Sequence, residues 1–306
     1  MARMTTRLRT MIKHGRFLEL PATYDPLTAR IAESAGFRTL YNGGFVTGGK
    51  SCISEPLLTM SEQIATAGEI AKAVNAPLIM DAGAAWGEPL HTMRTVRECI
   101  RAGIAGIHIE DQLYPKRAHY HTYVVHNISR EEFVDKIRLA CVQRDESDRD
   151  FIIIARSDAA RVTGLKEAID RVNAAARVGA DMGLVFPRNH AEAVATPKRA
   201  KLPMVYVQSR GTRDGRPLYR YQQLIDMGYA GCIDATLSIC LLYHHLREAM
   251  LELKKTGDYS GLQEPQFVAA RKGVEDIVGL EAYYRIEQET VERSRPARGA
   301  RRPRRS

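Results

Sequence analysis

The chain predicts an α/β fold: a (β/α)₈ barrel with additional C-terminal helices. Three observations carry this. Short apolar runs alternate with helix-patterned segments, which implies a parallel sheet. Eight such units fit into about 250 residues, as a closed barrel requires. Two successive apolar runs, Leu78–Asp81 and Ala105–Asp111, end in carboxylates, and the C-terminal ends of barrel strands are where that fold keeps its chemistry. A doubly wound open sheet is the alternative. It usually has fewer strands and often a glycine-rich phosphate fingerprint, and neither GxGxxG nor GxxxxGK[ST] occurs here.

The elements follow in order. Phe17–Ala22 reads as the first strand. Asp25-Pro26 supplies an N-cap and an N1 proline for a helix ending at Gly36. Arg38–Tyr41 is the second strand, broken at Asn42-Gly43-Gly44. Thr59-Met60-Ser61-Glu62 is a capping box, and Ile64, Ala67, Ile70, Ala71 and Val74 give its helix an apolar face. The third strand ends at Asp81. A helix over about His91–Ala102 stops at Gly103, and the fourth strand ends at Glu110. Gln112–Ile128 has no clear period. A second capping box, Ser129 to Glu132, starts a helix to about Gln143. Phe151–Ala155 is strand five and Leu165–Val178 the next helix. Met182–Phe186, Met204–Val207 and Ala230–Ile233 are the last three strands. Tyr219–Met227 is a short helix, and Leu237–Lys255 a long amphipathic one. The predicted division is a barrel domain over 1–256, a helical extension over 257–292 and a basic tail over 293–306.

The chain is 306 residues long, 44% hydrophobic and 26% charged, an ordinary globular composition. No apolar run approaches the ~18–20 residues that span a bilayer. The basic N-terminus lacks the apolar core of a secretory signal. Five scattered cysteines without a CxxC read as reduced thiols of a cytoplasmic protein. The net charge of +9 has a local origin. Seven arginines and no acid lie between Arg293 and Arg305, and the rest of the chain carries only +2. A Pro/Arg/Gly tail cannot bury a core, so a solubilising end is the plain reading. An RNA-binding arm is the sharper reading, weakened by the absence of interleaved aromatics.

Asp81 is either a metal ligand at the barrel mouth or a cap for the following turn. Glu110-Asp111, on the next strand end, could stand beside it. A few carboxylates plus waters suit Mg²⁺, a hard octahedral ion. His108 shares strand parity with Glu110 and should point inward, as a core histidine or a site group. Arg156, after the run Phe151–Ala155, offers a guanidinium for bidentate capture of a substrate carboxylate, or an ion pair to Asp158 or Glu110. Asn42-Gly43-Gly44 could present backbone N–H groups to a second carboxylate, or simply turn the chain. Lys116, Arg117, His119, Tyr120, His121 and His126 crowd a segment placed where a lid should be. It reads as acid/base and anion-binding chemistry or as a solvated polar loop.

With these residues assembled, the chain resembles the isocitrate lyase/phosphoenolpyruvate mutase superfamily over about residues 8–255. The motifs are YDPLTARIAESAGF, the Asn-Gly-Gly strand end, the Asp81 strand, GIHIEDQLYPKR, FIIIARSDA and VGADM. The resemblance implies a (β/α)₈ barrel, usually tetrameric, with the last helix exchanged between subunits. It implies Mg²⁺ or Mn²⁺, and C–C or C–P bond cleavage in small 2-oxo or 2-hydroxy acids through an enolate-type intermediate. By the same resemblance Asp81 is the direct metal ligand, Glu110 holds metal-bound water, and Glu55 falls where the family usually has an aspartate. Arg156, with the backbone at Gly43 and Gly44, matches the substrate carboxylate site. Asn42 stands where many members have serine.

Three departures stand out. The family's DAD is Asp81-Ala82-Gly83 here. The lyase lid cysteine is absent, since Lys116-Arg117 is followed by Ala118-His119-Tyr120. The glutamate after strand six is replaced by Arg188. The expectation is therefore a Mg²⁺/Mn²⁺-dependent carbon–carbon lyase acting by decarboxylation or retro-aldol cleavage. His119, Tyr120 or His121 would replace the thiol, an imidazole being suited to proton transfer near neutral pH, with Lys116 and Arg117 beside them. Arg188 is expected to meet an additional anionic group of the substrate. The alternatives are a C–P hydrolase or phosphonomutase, or a catalytically silent binding homologue. Expected partners are a small carboxylate and further copies of the chain.

Overall fold

The computed structural model describes residues 3–117, 125–211 and 215–293. Eight parallel strands form one sheet: β1 (Leu18–Pro21), β2 (Leu40–Asn42), β3 (Leu78–Asp81), β4 (Gly106–Glu110), β5 (Ile152–Ser157), β6 (Met182–Val185), β7 (Met204–Gln208) and β8 (Gly231–Asp234). Their ladders run β1-β8-β7-β6-β5-β4-β3-β2. The remaining seam is closed by an isolated parallel bridge between Ala22 and Tyr41, where the Thr23 N–H donates to the Tyr41 carbonyl. The predicted barrel is the observed one.

The helices of the barrel unit are α1 (Met4–Lys13), α2 (Pro26–Ser34), α3 (Gly44–Lys50), α4 (Met60–Ala73), α5 (Pro89–Arg101), α6 (Arg130–Ser147), α7 (Leu165–Ala176), α8 (His190–Arg199), α9 (Tyr221–Met227) and the start of α10 (Leu237–Thr256). Both predicted capping boxes form. The Thr59 and Glu62 side chains each bond the other's backbone N–H, and so do those of Ser129 and Glu132, satisfying donors that a helix start leaves without partners.

Three helices were not foreseen. α1 carries basic residues along most of its length, which hides its apolar face; yet Leu8 is fully buried in the cluster that holds Leu18, Ile152 and Met182. Thr5 and Arg9 fasten it, with Thr5 Oγ1 donating to Asp148 and Arg9 Nη1 to Asp181. α3 begins at the Gly43-Gly44 break, where only a turn was expected, because glycine's poor helix propensity gave no signal. α8 runs through an internal proline, Pro197.

Strand parity decides what faces the barrel interior. Ile152 and Ile154 of β5, Met182 and Leu184 of β6, and Val205 and Val207 of β7 pack together inside. Ile107 and Ile109 of β4, with Ile153 and Ala155 of β5, pack outward against the helices with Phe133 of α6. His108, Glu110 and Arg156 therefore belong to the inward set. Register then makes neighbours of them: Asp81 is paired with His108 across β3–β4, and Glu110 with Arg156 across β4–β5.

The chain divides into two compact units, Met1–His244 and His245–Ser306, and the division falls inside α10. The second unit holds the rest of α10, α11 (Glu264–Val278) and α12 (Leu280–Glu289). None of its described residues is buried, and Met250, Phe267, Val268, Val274, Tyr283 and Ile286 are exposed. No helix among the described residues is long and apolar enough to cross a membrane. Of the five thiols, Cys99, Cys141 and Cys232 are buried, whereas Cys52 and Cys240 are exposed.

Phe133 is fully buried where α6 meets the outer face of the strands. Replacing it with alanine removes a large apolar side chain and leaves a cavity, so Phe133→Ala should lower unfolding stability by about 3–5 kcal/mol. Denaturant unfolding of the two proteins measures this; a loss below about 1 kcal/mol would show that the helix layer repacks freely.

Candidate active site

The strand ends converge on a buried cluster of charge. Arg156 is its centre. Its Nε lies 3.0 Å from Asp158 Oδ1, its Nη2 3.0 Å from Glu110 Oε2, and its Nη1 3.6 Å from Asp81 Oδ2. Lys116, entering from the segment after β4, reaches Glu110 Oε1 at 3.2 Å and bonds Glu55 Oε1. Glu55 comes from a single 3₁₀ turn, Glu55–Leu57. Asp81 stands at the mouth and also serves as the cap for the following turn, its Oδ1 accepting from the Gly83 N–H at 2.8 Å. Likewise Arg156 makes the ion pairs that its plain reading expected.

The protonation states follow from burial and neighbours. Burial pushes Asp81 up, but His108, Arg156, Lys116 and the Gly83 N–H outweigh it, and the carboxyl sits well below its ordinary range. Burial pushes His108 down to about 4 against the pull of Asp81, so the ring is neutral near pH 7. Arg156 and Lys116 are then the cations that hold Asp81 ionised. Glu110, fully buried, is pushed up to about 7 by desolvation despite both cations. Asp111 points to the other side of the strand end. It receives Ser157 Oγ at 2.6 Å and pairs with Arg171 at 3.2 Å, a supporting network behind the site.

A cleft of about 390 Å³ opens beside this cluster, lined by Gly44, Glu55, Asp81, Gly83, Trp86 and Lys116 among others. Its far wall is the Ala82–Gly87 turn. Gly83 has φ +49°, and Ala85 and Trp86 also take left-handed backbone at φ 56° and 53°, a costly conformation for residues with a Cβ. Three side-chain donors from different parts of the chain hold the turn there. Lys136 Nζ donates to the Ala84 carbonyl at 3.0 Å, Thr95 Oγ1 to Ala85, and Trp86 Nε1 to Leu58.

The donor set suits a divalent cation. Glu55, Asp81, Glu110 and Asp158 face Lys116 and Arg156, which leaves two negative charges when all are ionised. Glu110 Oε1 is buried, with Lys116 Nζ 3.2 Å away. No three His, Cys, Asp or Glu side chains converge as a metal cluster among the described residues, so few protein ligands and several waters would complete the shell, as Mg²⁺ prefers.

Not every expected residue joins the cluster. Gly44 lines the cleft, where a Cβ would strike the Glu55 side chain at 2.6 Å; Gly43 precedes it as the N-cap of α3. Asn42 has the opposite strand parity. It is buried outside the barrel, donating to the Thr23 carbonyl and accepting from Gln63. Arg188 is also elsewhere. Four residues before Glu192 on the α8 N-terminal turn, it is 56% exposed and its Nη2 is held by Glu192 at 2.8 Å. Arg117 is exposed. His119, Tyr120 and His121 lie outside the described residues. Sequence reading missed Tyr41, whose hydroxyl meets His108 Nε2 at 2.8 Å, and His108 Nδ1 in turn lies 3.5 Å from Asp81. Inward parity one residue before Asn42 was the available signal. It also missed Lys136, an ordinary helix lysine in pattern.

A buried cluster of carboxylates with an adjacent guanidinium, at the C-terminal mouth of a (β/α)₈ barrel, suits an enzyme that acts on small carboxylic acids. The chain belongs to the phosphoenolpyruvate mutase/isocitrate lyase superfamily, because the family model for phosphoenolpyruvate phosphomutase matches residues 8–254. It is 31% identical to 2,3-dimethylmalate lyase of Eubacterium barkeri over 288 residues, covering 92% of this chain and 96% of that one. The crystal structure of a 2,3-dimethylmalate lyase superposes with a TM-score of 0.84 at 28% identity, covering 94% and 96% of the two chains. A phosphonopyruvate hydrolase crystallised with oxalate and Mg²⁺ superposes with a TM-score of 0.80 at 26% identity, covering 95% and 100%.

His108 and Glu110 should give the protein opposite pH dependences when divalent cations are chelated. His108 titrates at about 4 in the fold and near 6.5 unfolded. The unfolded chain therefore binds more protons between these values, and this contribution to stability grows as pH rises through them. Glu110 titrates at about 7 in the fold and near 4.5 unfolded, so its contribution is present at low pH and is lost as pH rises from 4.5 to 7. Glu110→Gln should steepen the rise in unfolding free energy between pH 4 and 6.5. His108→Asn should turn it into a fall between pH 4.5 and 7. Parallel stability–pH curves for all three proteins would refute the assignment.

Proposed function

We propose that this protein is a Mg²⁺- or Mn²⁺-dependent lyase that cleaves a C–C bond of a small 2-oxo or 2-hydroxy carboxylic acid through an enolate-type intermediate. The observation that carries this is the buried array of Asp81, Glu110 and Arg156 on adjacent strand ends, with the charge excess that a divalent cation would offset. Similarity to a 2,3-dimethylmalate lyase over nearly the whole of both chains supports the same chemistry. Asp81 would bind the ion directly, with Glu110 and Glu55 holding its waters. When bound, the metal supplies charge stabilisation for an oxygen on which negative charge develops.

The chain's own residues do the rest. Arg156 keeps Nη1 directed at Asp81 while Asp158 and Glu110 fix its other edge, so its guanidinium is oriented in advance for a substrate carboxylate. Gly43 and Gly44 would bring backbone close to the same group. Lys116 spans Glu55 and Glu110 and keeps both carboxylates near one point. Burial raises the Tyr41 phenol well above its ordinary value, so it keeps its proton, aimed at the neutral imidazole of His108. Protonation of the carbanion is assigned to His119, Tyr120 or His121, which follow Lys116 and Arg117 in the sequence. Similarity to a phosphonopyruvate hydrolase over the whole of that chain makes C–P cleavage the second reading.

The protein is further proposed to act in the cytoplasm as a homotetramer. The exposed apolar residues of α10–α12 support a subunit contact there, with the last barrel helix exchanged, and size measurement in solution tests it. Domain boundaries at 256/257 and 292/293 belong to the same reading, with the arginine-rich tail as a solubilising end and no nucleic-acid partner required.

Turnover of a panel of small 2-hydroxy and 2-oxo acids should require Mg²⁺ or Mn²⁺. Asp81→Ala should lower kcat/KM by at least about 10²-fold, the scale of losing a main electrostatic contact. Activity that survives both chelation and Asp81→Ala would overturn the mechanism, and turnover of phosphonates alone would favour the second reading.

A further inference from the structure

We propose that Lys136 of α6 is a positioning residue for the metal site: by holding the Ala84 carbonyl it keeps the Gly83 N–H on Asp81 and so fixes the direction of that carboxylate. The inference rests on the lyase reading above, in which Asp81 binds the ion directly.

The helix puts a cation where its pattern calls for an apolar residue. Phe133, Ile137 and Ala140 are fully buried and form the stripe of α6 that packs on the strands. Lys136 lies on the same stripe, one helical turn after Phe133, and is only 4% exposed. Burying an ammonium group forfeits much of its hydration. Glu110 and Asp111 at the end of β4, Glu132 one turn earlier on α6, and Glu88 before α5 offset part of that cost. Among the described residues, however, its hydrogen bond goes to the Ala84 carbonyl at 3.0 Å and not to a carboxylate.

That carbonyl is the middle of the strained turn. Gly83 before it and Ala85 after it take left-handed backbone, at φ 49° and 56°. The Ala85 N–H donates to the Ala82 carbonyl at 2.7 Å, so Ala82 and Lys136 hold opposite edges of the Ala84–Ala85 peptide. Gly83 connects the turn to both acids. Its N–H donates to Asp81 Oδ1 at 2.8 Å, and its carbonyl accepts from the Glu110 N–H at 2.9 Å. Without Lys136, Ala85 is free to relax toward right-handed backbone, the direction that its Cβ favours. The peptide then turns and takes the Gly83 N–H off Asp81. Groups that hydrogen-bond a metal-ligating carboxylate orient it and tune its affinity. The charge of Lys136 acts in the opposite sense. A cation near Glu110 repels a metal ion, so removing the charge alone would tighten metal binding. Removing the clamp weakens it.

Titration of the full-length protein with Mn²⁺ alone, followed by electron paramagnetic resonance of the free ion, tests this. Lys136→Met should weaken Mn²⁺ binding about tenfold or more, the scale of losing a group that orients a metal ligand. Adding Ala85→Gly to that variant should recover part of the loss, because glycine takes left-handed backbone without a Cβ penalty. Ala85 does not line the cleft, so this second change leaves the cleft's own residues in place. Unchanged or tighter Mn²⁺ binding in Lys136→Met overturns the proposal, and so does a double variant that binds no better than Lys136→Met. Should Lys136→Met fail to fold, Lys136→Gln, which also removes the charge and shortens the reach to Ala84, decides by the same comparison. Normal Mn²⁺ binding by the wild type together with unchanged binding in the variant would leave the lyase reading standing. A wild type that does not bind Mn²⁺ overturns the metal reading and this proposal with it.

Discussion

Everything at the barrel mouth depends on the buried Arg156 guanidinium. Three carboxylates, from β3, β4 and the end of β5, lie within reach of its nitrogens. Each would be expensive to bury alone, because an ionised carboxylate loses most of its hydration in the interior. Around one planar cation they become mutually tolerable, and their directions are set by the fork of donors. The arrangement falls short of neutrality even with Lys116 added. Glu110 shows the remaining tension, since burial still pushes it up to about 7. Such a cluster is ready for a further positive charge, and it suits a catalytic site better than a core.

The scaffold's task is to hold these groups without room to relax. Parallel register places Asp81 beside His108 and Glu110 beside Arg156, so no side chain needs a long reach. Behind them, Ser157, Asp111 and Arg171 form a second polar layer that anchors the β5 strand end. In front, the Ala82–Gly87 turn holds left-handed backbone at Gly83, Ala85 and Trp86. A buried lysine, a threonine hydroxyl and an indole N–H from different elements restrain it. Strain of this kind persists where the surroundings over-determine the conformation, and here it shapes the wall of the cleft.

Much of this was legible in the residues alone. The eight strands were visible because a parallel sheet covered on both faces writes each strand as a short apolar run. Both capping boxes were visible because their chemistry is local. Asp81, Glu110 and Arg156 stood out as charges ending apolar runs. Other readings failed for physical reasons. Asn42 sits one residue off the inward parity, and a strand's two faces cannot be told apart at a broken end. Arg188 follows the strand, but a helix-turn partner four residues on, Glu192, claims its guanidinium. α1 was hidden because its basic residues mask an apolar stripe that only the barrel floor explains.

The sequence by itself determined the eight strands and most of the helices, their order, the closed parallel barrel and the identity of the central acids. All of these depend on periodicity and short-range chemistry. Only the tertiary structure decided which charges meet. It brought Lys116 to Glu55 across 61 positions of sequence, placed Tyr41 on His108, and set Arg156 and Arg216 against one phenyl ring. Contacts between distant segments depend on register, parity and loop path, none of which a single segment encodes.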